Sequence, residues 1–241
     1  MDIFKSWLVE RCIAHRGLHN DQLPENSLGA FNNAIINGYP IELDVHMISD
    51  GTLVVFHDDT LSRMTGKDGY LKNLNKDDLK EYFLAQSKYT IPTLEEVLSL
   101  VDGKVPLLIE IKNNSKVGAL ETKLLETLKK YNGDYAIESF NPYVLEWFKN
   151  NAPEILRGQL AGFFKGEKLS SIKKFALKRM LLNKIAMPNF ISYEATSLPN
   201  RFVRKYKTLP LIAWTVRSQE EYLKVVKYCD NVIFENFEPK I

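Results

Sequence analysis

What this chain lacks narrows its class before any motif is read. Only two cysteines occur in 241 residues, Cys12 and Cys229. They stand far apart with no CxxC spacing, which suggests neither a disulfide framework nor a thiolate zinc site. They read as buried free thiols of a reducing compartment. Charge of one sign is also missing: 32 Lys and Arg oppose 30 Asp and Glu, for a formal net charge of +2. That balance implies no general attraction to nucleic acid or to a membrane. No stretch approaches the roughly 18 uncharged apolar residues of a spanning helix. The opening MDIFKSWLVERC carries Asp2 and Glu10 and no long apolar run, unlike a signal peptide. No Pro/Gly/Ser linker or low-complexity tract divides the chain. The expectation is one soluble, cytoplasmic domain over residues 1–241.

What is present is an ordinary core-forming mixture, 45% hydrophobic and 26% charged, arranged in alternating periods. Short β-rich runs (CIA, PIELDVHMI, VPLLIEIK, YAIESF, LRGQLAGF, FISYEA, LPLIAWTV, NVIFENF) are separated by segments of helical period. The first helix is read from PENSLGAFNNAIING, with Leu28, Phe31, Ile35 and Ile36 on one face and Gly38 as its stop. A Ser-Asp-Gly turn predicts a hairpin between PIELDVHMI and GTLVVFHDD. Residues 60–92 show no clear period and read as an inserted lobe; Thr93 then caps a helix with Glu96 three residues on. Further helices are expected around 116–131, at NPYVLEWFKNN, at 167–184, at LPNRFVRKYK and at SQEEYLKVVKYC. About eight strand–helix units in this length predict an α/β TIM (β/α)8 barrel with a small insertion after the second strand. Few residues follow the last strand, so residues 2–10, with Ile3, Phe4, Trp7 and Leu8 as an apolar face, are expected to cover the barrel's N-terminal end.

In such a barrel chemistry sits at the C-terminal strand ends. His15 and Arg16 end the first strand, and His57 follows VVF. Glu42 and Asp44, two apart, share one side of their strand, and Glu110 and Lys112 repeat that spacing. Carboxylates set in β-branched runs are costly to bury without a compensating cation. Three carboxylates from two strands, with no thiolate, suit one hard divalent cation, Mg²⁺ or Ca²⁺. With Arg16, Lys112 and two imidazoles at the same mouth, the set describes a site for a phosphate ester. Taken singly, each element also fits a structural role, as a surface salt bridge or a solvated strand face.

The residues resemble the glycerophosphodiester phosphodiesterase family. The matching stretches are AHRG (14–17), PENS (24–27), IELDVHMISDGTLVVFHDDTLSRMTG (41–66), IPTLEEVL (91–98), LLIEIK (107–112), ESFNP (138–142) and AWTV (213–216). The resemblance implies metal-dependent hydrolysis of a glycerophosphodiester to an alcohol and sn-glycerol 3-phosphate. It implies Glu42, Asp44 and Glu110 as metal ligands, His15 and His57 as the acid–base pair, and Arg16 and Lys112 as phosphate-binding. It also implies an insertion at roughly 58–106. Phe140 and Trp214 end later strands and are read either as pocket residues against the glycerol or leaving group or as ordinary barrel packing. The chain departs from the family near its end, where Asn231 replaces a glycine and Phe234, Glu235 and Asn236 stand where small or acidic residues are common; an altered pocket rim is expected. The partner implied is a small-molecule glycerophosphodiester, without nucleic acid.

Two other readings share these residues. A lysophospholipid could be the substrate, since KGEKLSSIKKFALKRMLLNK (165–184) holds seven cations against Glu167 alone and would suit an anionic membrane surface; as a barrel helix it would simply present a solvated face. A non-catalytic phosphate-binding barrel is the third, but a binder needs no proton-transfer pair.

Overall fold

Strands and helices follow one another in the order the hydrophobic periods predict. The computed structural model describes residues 2–113, 116–163 and 170–240, and of Lys173 only the backbone. Lys165, Glu167 and Lys168 of the basic run therefore lie outside the described residues. By contact the chain divides into two units, Ala14–Tyr135 and Met1–Ile13 with Ala136–Ile241.

The chain enters through a 3-10 turn (Ile3–Lys5), a short helix α1 (Trp7–Glu10) and strand β1 (Ile13–Ala14). In the central unit, helix α2 (Leu28–Ile36) starts where the Ser27 hydroxyl accepts from the Ala30 amide, and it stops at Gly38 with φ of 68°. Strand β2 (Ile41–Met47) pairs in parallel with β1 and with β4 (Leu107–Ile111), and antiparallel with β3 (Leu53–Val55), which closes the expected hairpin. Between β3 and Thr93 the chain forms a one-turn helix α3 (Ser62–Thr65) and three 3-10 segments around Leu71, Leu79 and Leu84. These close over a core of their own that includes Phe56, Leu61, Leu71, Leu79, Leu84 and Ile91. The segment shows no period in the sequence because turns built around single buried leucines have no repeat. Helix α4 (Leu94–Val101) begins at the predicted capping box of Thr93 and Glu96, and α5 (Ala119–Leu128) follows β4.

In the flanking unit five parallel strands run β5 (Tyr135–Ser139), β6 (Arg157–Ala161), β7 (Phe190–Glu194), β8 (Leu211–Val216) and β9 (Asn231–Phe234). Helix α6 (Pro142–Asn151) joins β5 to β6, and α9 (Gln219–Val225) joins β8 to β9. Gly158 in β6 faces the Phe190 ring, which would lie 2.1 Å from an added Cβ; only glycine leaves room for that ring.

Three expectations change. Of the helix read over 167–184, the described residues 170–184 hold not one helix but α7 (Ser171–Lys178) and the start of α8 (Asn183–Ala186), separated where Met180 takes a φ of 52°. LPNRFVRKYK forms only a 3-10 turn at Arg204–Tyr206. There the Asn200 side chain accepts from the Phe202 and Val203 amides, so a local turn outcompetes the helix. In the N-terminal segment Leu8 is fully buried, but Phe4 is 41% exposed, so the covering face is narrower than expected.

Asn231 also departs from its expected role. It opens β9 rather than lining a rim, and its buried amide donates to the carbonyls of Leu8 (2.7 Å) and Arg11 (2.8 Å). This side chain is the clasp that holds the N-terminal helix. Asn231→Ala strands two carbonyls and should cost about 1–3 kcal/mol. Removal of residues 1–9 should lower the melting temperature similarly, and combining the two changes should add little. Full additivity in thermal melts would separate the clasp from the helix it is said to hold.

Candidate active site

The carboxylates converge because of strand register. Glu42 and Asp44 lie inside β2, and Asp44 is the direct cross-strand partner of Glu110 in β4. With side chains alternating along a strand, all three project from one face. Glu42, Asp44 and Glu110 are all buried, and each offers an oxygen within 4.8 Å of the others. Lys112, two residues beyond Glu110, places Nζ 2.7 Å from Glu110 Oε1 and 3.0 Å from Asp44 Oδ1.

The AHRG stretch supplies the next charges through a tight turn. Arg16 has a φ of 55° and Gly17 a φ of 82°, and a Cβ on Gly17 would lie 2.9 Å from the Ala30 backbone in α2. Glycine alone lets this loop lie against the helix. The turn aims the Arg16 amide at Glu42 Oε2 (2.9 Å) and sets Arg16 Nε 3.3 Å from Asp44 Oδ2. His15 Nε2 stands 3.9 Å from Glu42 Oε2.

His57 arrives differently from the expected strand end. β3 runs antiparallel to β2, so the hairpin carries the chain back, and the Phe56 amide donates to the Asp44 carbonyl at 2.9 Å. His57 is thereby delivered beside Asp44 from the reverse direction. Its Nδ1 lies 2.6 Å from Asp58 Oδ1. A carboxylate only accepts, so Nδ1 carries the proton and Nε2 is left for exchange.

Electrostatics follow from this packing. Burial pushes the Asp44 pKa upward, but Lys112, Arg16 and both imidazoles overcome it and hold the group well below the ordinary carboxylate range. Burial dominates at Glu110 and raises its pKa; Asp44 adds to the rise and Lys112 opposes it. Burial disfavours charge on Lys112 and Arg16 as well, yet the acids around them raise both pKa values and keep both protonated. Three acids against two fixed cations leave net negative charge, and the donors are all oxygens. That set fits a hard divalent cation.

Five further residues escaped the sequence reading. Asn26, with a φ of 55°, donates from its side chain to Asp44 Oδ2 at 2.8 Å and so fixes the carboxylate. His46 is buried, which lowers its pKa, and its Nε2 lies 3.2 Å from the His57 carbonyl, a brace for the backbone at His57. Glu25 accepts from Arg16 (2.6 Å) and from Arg63 (2.7 and 2.8 Å), while Arg63 also donates to Asp58 at 2.5 and 3.1 Å. Alternating charges thus run Arg16–Glu25–Arg63–Asp58–His57. Glu25, Asp58 and Arg63 all lie in the stretches that resemble the family, and Asp58 is adjacent to His57, but the pairing of Glu25 with Arg63 across 38 residues is not readable from them. In the flanking unit, Phe140 and Trp214 meet edge to face at 5.5 Å.

Comparisons with known proteins identify the family. The profile of the Glycerophosphoryl diester phosphodiesterase family matches residues 15–237. A glycerophosphodiester phosphodiesterase of Caldanaerobacter subterraneus is 38% identical over 162 residues, a match spanning 61% of this chain and 65% of that relative. The structure of an Oleispira antarctica phosphodiesterase in complex with the product sn-glycerol-3-phosphate has a TM-score of 0.80 at 26% identity, covering 94% of this chain and 93% of that one. The glycerophosphodiester phosphodiesterase structure from Thermotoga maritima has a TM-score of 0.72 at 27% identity, covering 93% and 94%. With its profile match running nearly end to end, the chain belongs to the glycerophosphoryl diester phosphodiesterase family and is a TIM-barrel phosphodiesterase.

Proposed function

We propose that the chain hydrolyses glycerophosphodiesters to an alcohol and sn-glycerol 3-phosphate, with one divalent cation, Mg²⁺ or Ca²⁺, held by Glu42, Asp44 and Glu110. The observation that carries this reading is the buried three-carboxylate cluster interleaved with Arg16 and Lys112. When bound, such a cation neutralises phosphoryl charge and lowers the pKa of an oxygen attached to it.

The chain's own residues do the rest. Arg16 and Lys112 carry permanent charge for the non-bridging phosphate oxygens, Arg16 through its planar fork and Lys112 as a point charge. His15 takes the proton of the neighbouring glycerol hydroxyl as its oxygen bonds to phosphorus. His57 passes a proton to the leaving alkoxide as the phosphorus–oxygen bond to the alcohol breaks. Water then opens the cyclic phosphate with the roles exchanged: His57 accepts the water proton, and His15 returns one to the glycerol oxygen. The two unpaired thiols support a reducing, cytoplasmic setting.

The test is to incubate pure protein with glycerophosphocholine and Mg²⁺ or Ca²⁺ and to measure sn-glycerol 3-phosphate and choline. Exhaustive chelation should stop release, and added cation should restore it. Undiminished turnover after chelation would exclude the metal, and lysophosphatidylcholine as the only cleaved substrate would move the reading to a lysophospholipase D.

The charge chain behind His57 gives a finer prediction. Arg63→Ala frees Asp58 and Glu25, so kcat should fall by about tenfold to a hundredfold with KM little changed. Arg63→Lys should restore little of it, because an ammonium cannot fork between two carboxylates. The same links set acid stability. Burial raises the pKa of Glu25 and of Asp58, but hydrogen bonds from Arg63, and from His57 at Asp58, win and hold both low. The stability they contribute is therefore full above the unfolded carboxylate value of about 4 and is lost as pH falls toward the folded values. Melting curves of wild type and Arg63→Ala should differ at neutral pH and converge in acid.

A further inference from the structure

A second feature lies in the flanking unit and owes nothing to phosphodiester chemistry. Four large apolar side chains stand in solvent within one short stretch: Ile172 is 82% exposed, Phe175 50%, Leu181 49% and Met187 61%. Ile172 and Phe175 are three apart in α7 and share a face. The exposure does not reflect a loosely held segment. Tyr193 Oη donates to the Lys178 carbonyl (2.9 Å), Tyr206 Oη to the Met180 carbonyl (3.3 Å) and Lys205 Nζ to the Arg179 carbonyl (3.3 Å).

Cations accompany these side chains. Lys174, Lys178, Arg179 and Lys184 occupy the same stretch, and no Asp or Glu occurs from residue 168 to residue 193. The Arg179 guanidinium lies 3.7 Å from the Phe175 ring centroid, and Lys178 Nζ lies 3.7 Å from that of Phe163. Aliphatic and aromatic groups are therefore presented together with fixed positive charge. On a chain of net charge +2, this is a local concentration.

We propose that α7 and the residues after it, through to Met187, form a docking surface for an anionic phospholipid membrane. The apolar side chains would enter the headgroup–acyl boundary, while the lysines and Arg179 meet the lipid phosphates. Charge complementarity selects this partner. A second copy of the chain would bring cations against cations across a two-fold contact. Single-stranded nucleic acid needs open ring faces for stacking, and here Arg179 and Lys178 already cover those of Phe175 and Phe163. Exposed Ile172, Leu181 and Met187 offer bases nothing to stack on.

The full chain should co-sediment with vesicles containing about one-third phosphatidylglycerol and remain free with pure phosphatidylcholine, and binding should weaken as salt rises. Ile172→Ser and Phe175→Ser should each weaken vesicle binding by about tenfold, given the apolar area each side chain would otherwise bury. Lys174→Glu with Lys184→Glu should weaken it by about tenfold or more. Thermal melts should be unchanged, since these side chains lie at the surface, and turnover of water-soluble glycerophosphocholine should also be unchanged, so this result stands apart from the catalytic reading. The proposal is overturned by absence of binding to anionic vesicles, by equal binding to neutral ones, or by binding that all three variants leave intact. It is equally overturned if the apolar variants dissociate a dimer instead, or if single-stranded RNA displaces the vesicles.

Discussion

Replacing Asp44 by asparagine is expected to abolish measurable turnover and to weaken the fold at the same time. Asp44 is fully buried, is approached by Arg16 and Lys112 at 3.3 and 3.0 Å, and accepts from Asn26 at 2.8 Å. Asparagine keeps the shape but removes the charge that both cations require. Breaking a buried ion pair from one side leaves the remaining charge uncompensated, at a cost of about 3–5 kcal/mol. The same change removes one of the three carboxylates proposed to hold the divalent cation. Losing several kcal/mol of charge stabilisation in the reaction corresponds to at least about a thousandfold in kcat/KM. Chemical denaturation and steady-state assays check the two halves separately. A variant that unfolds at the wild-type midpoint would show that Asp44 does not hold Arg16 and Lys112 in place. One that turns over normally would remove Asp44 from the chemistry.

His57→Ala should behave in the opposite way, with a catalytic loss of about a hundredfold to ten-thousandfold and little change in melting. The side chain is 33% exposed and fills no core position, so truncation leaves no cavity. The loss should reside in kcat, with one limb of the pH–rate profile removed, because a proton-transfer group acts on the reaction rather than on binding. Asp58→Asn should fall between wild type and His57→Ala. It leaves the imidazole present but replaces the acceptor at Nδ1, 2.6 Å away, with a group that can present a donor instead. Wild-type kinetics for His57→Ala would end the acid–base assignment. Equal losses for both variants would mean that Asp58 does all that His57 does.

The parts of the fold visible in the sequence are those with a repeat. Alternation of β-rich runs with helical periods placed β2, β4 and β5 to β9 close to their observed bounds, and the capping box at Thr93 and Glu96 fixed the start of α4. The lobe between β3 and α4 was visible only as an absence of period. The failed helix at LPNRFVRKYK shows the limit on the other side: its composition suits a helix, but Asn200 satisfies two amides locally and Phe202, Val203 and Tyr206 are taken up by packing. Asn231 was visible as an unusual residue, but the end of the strand it serves was not, since a substitution carries no direction until the strand has one.

The sequence by itself determined which charged groups share a face, because a strand's period of two is local: Glu42 with Asp44, and Glu110 with Lys112. It also determined that two imidazoles stand near strand ends. Only the tertiary structure decided that Asp44 and Glu110 are cross-strand partners, that an antiparallel hairpin returns His57 to Asp44, and that Glu25 and Arg63 join across 38 residues to hold Asp58. The reason is physical. Spacing along a strand is set by backbone geometry within a few residues, whereas the register between strands and the pairing of distant charges are settled by the free energy of burying the whole set together.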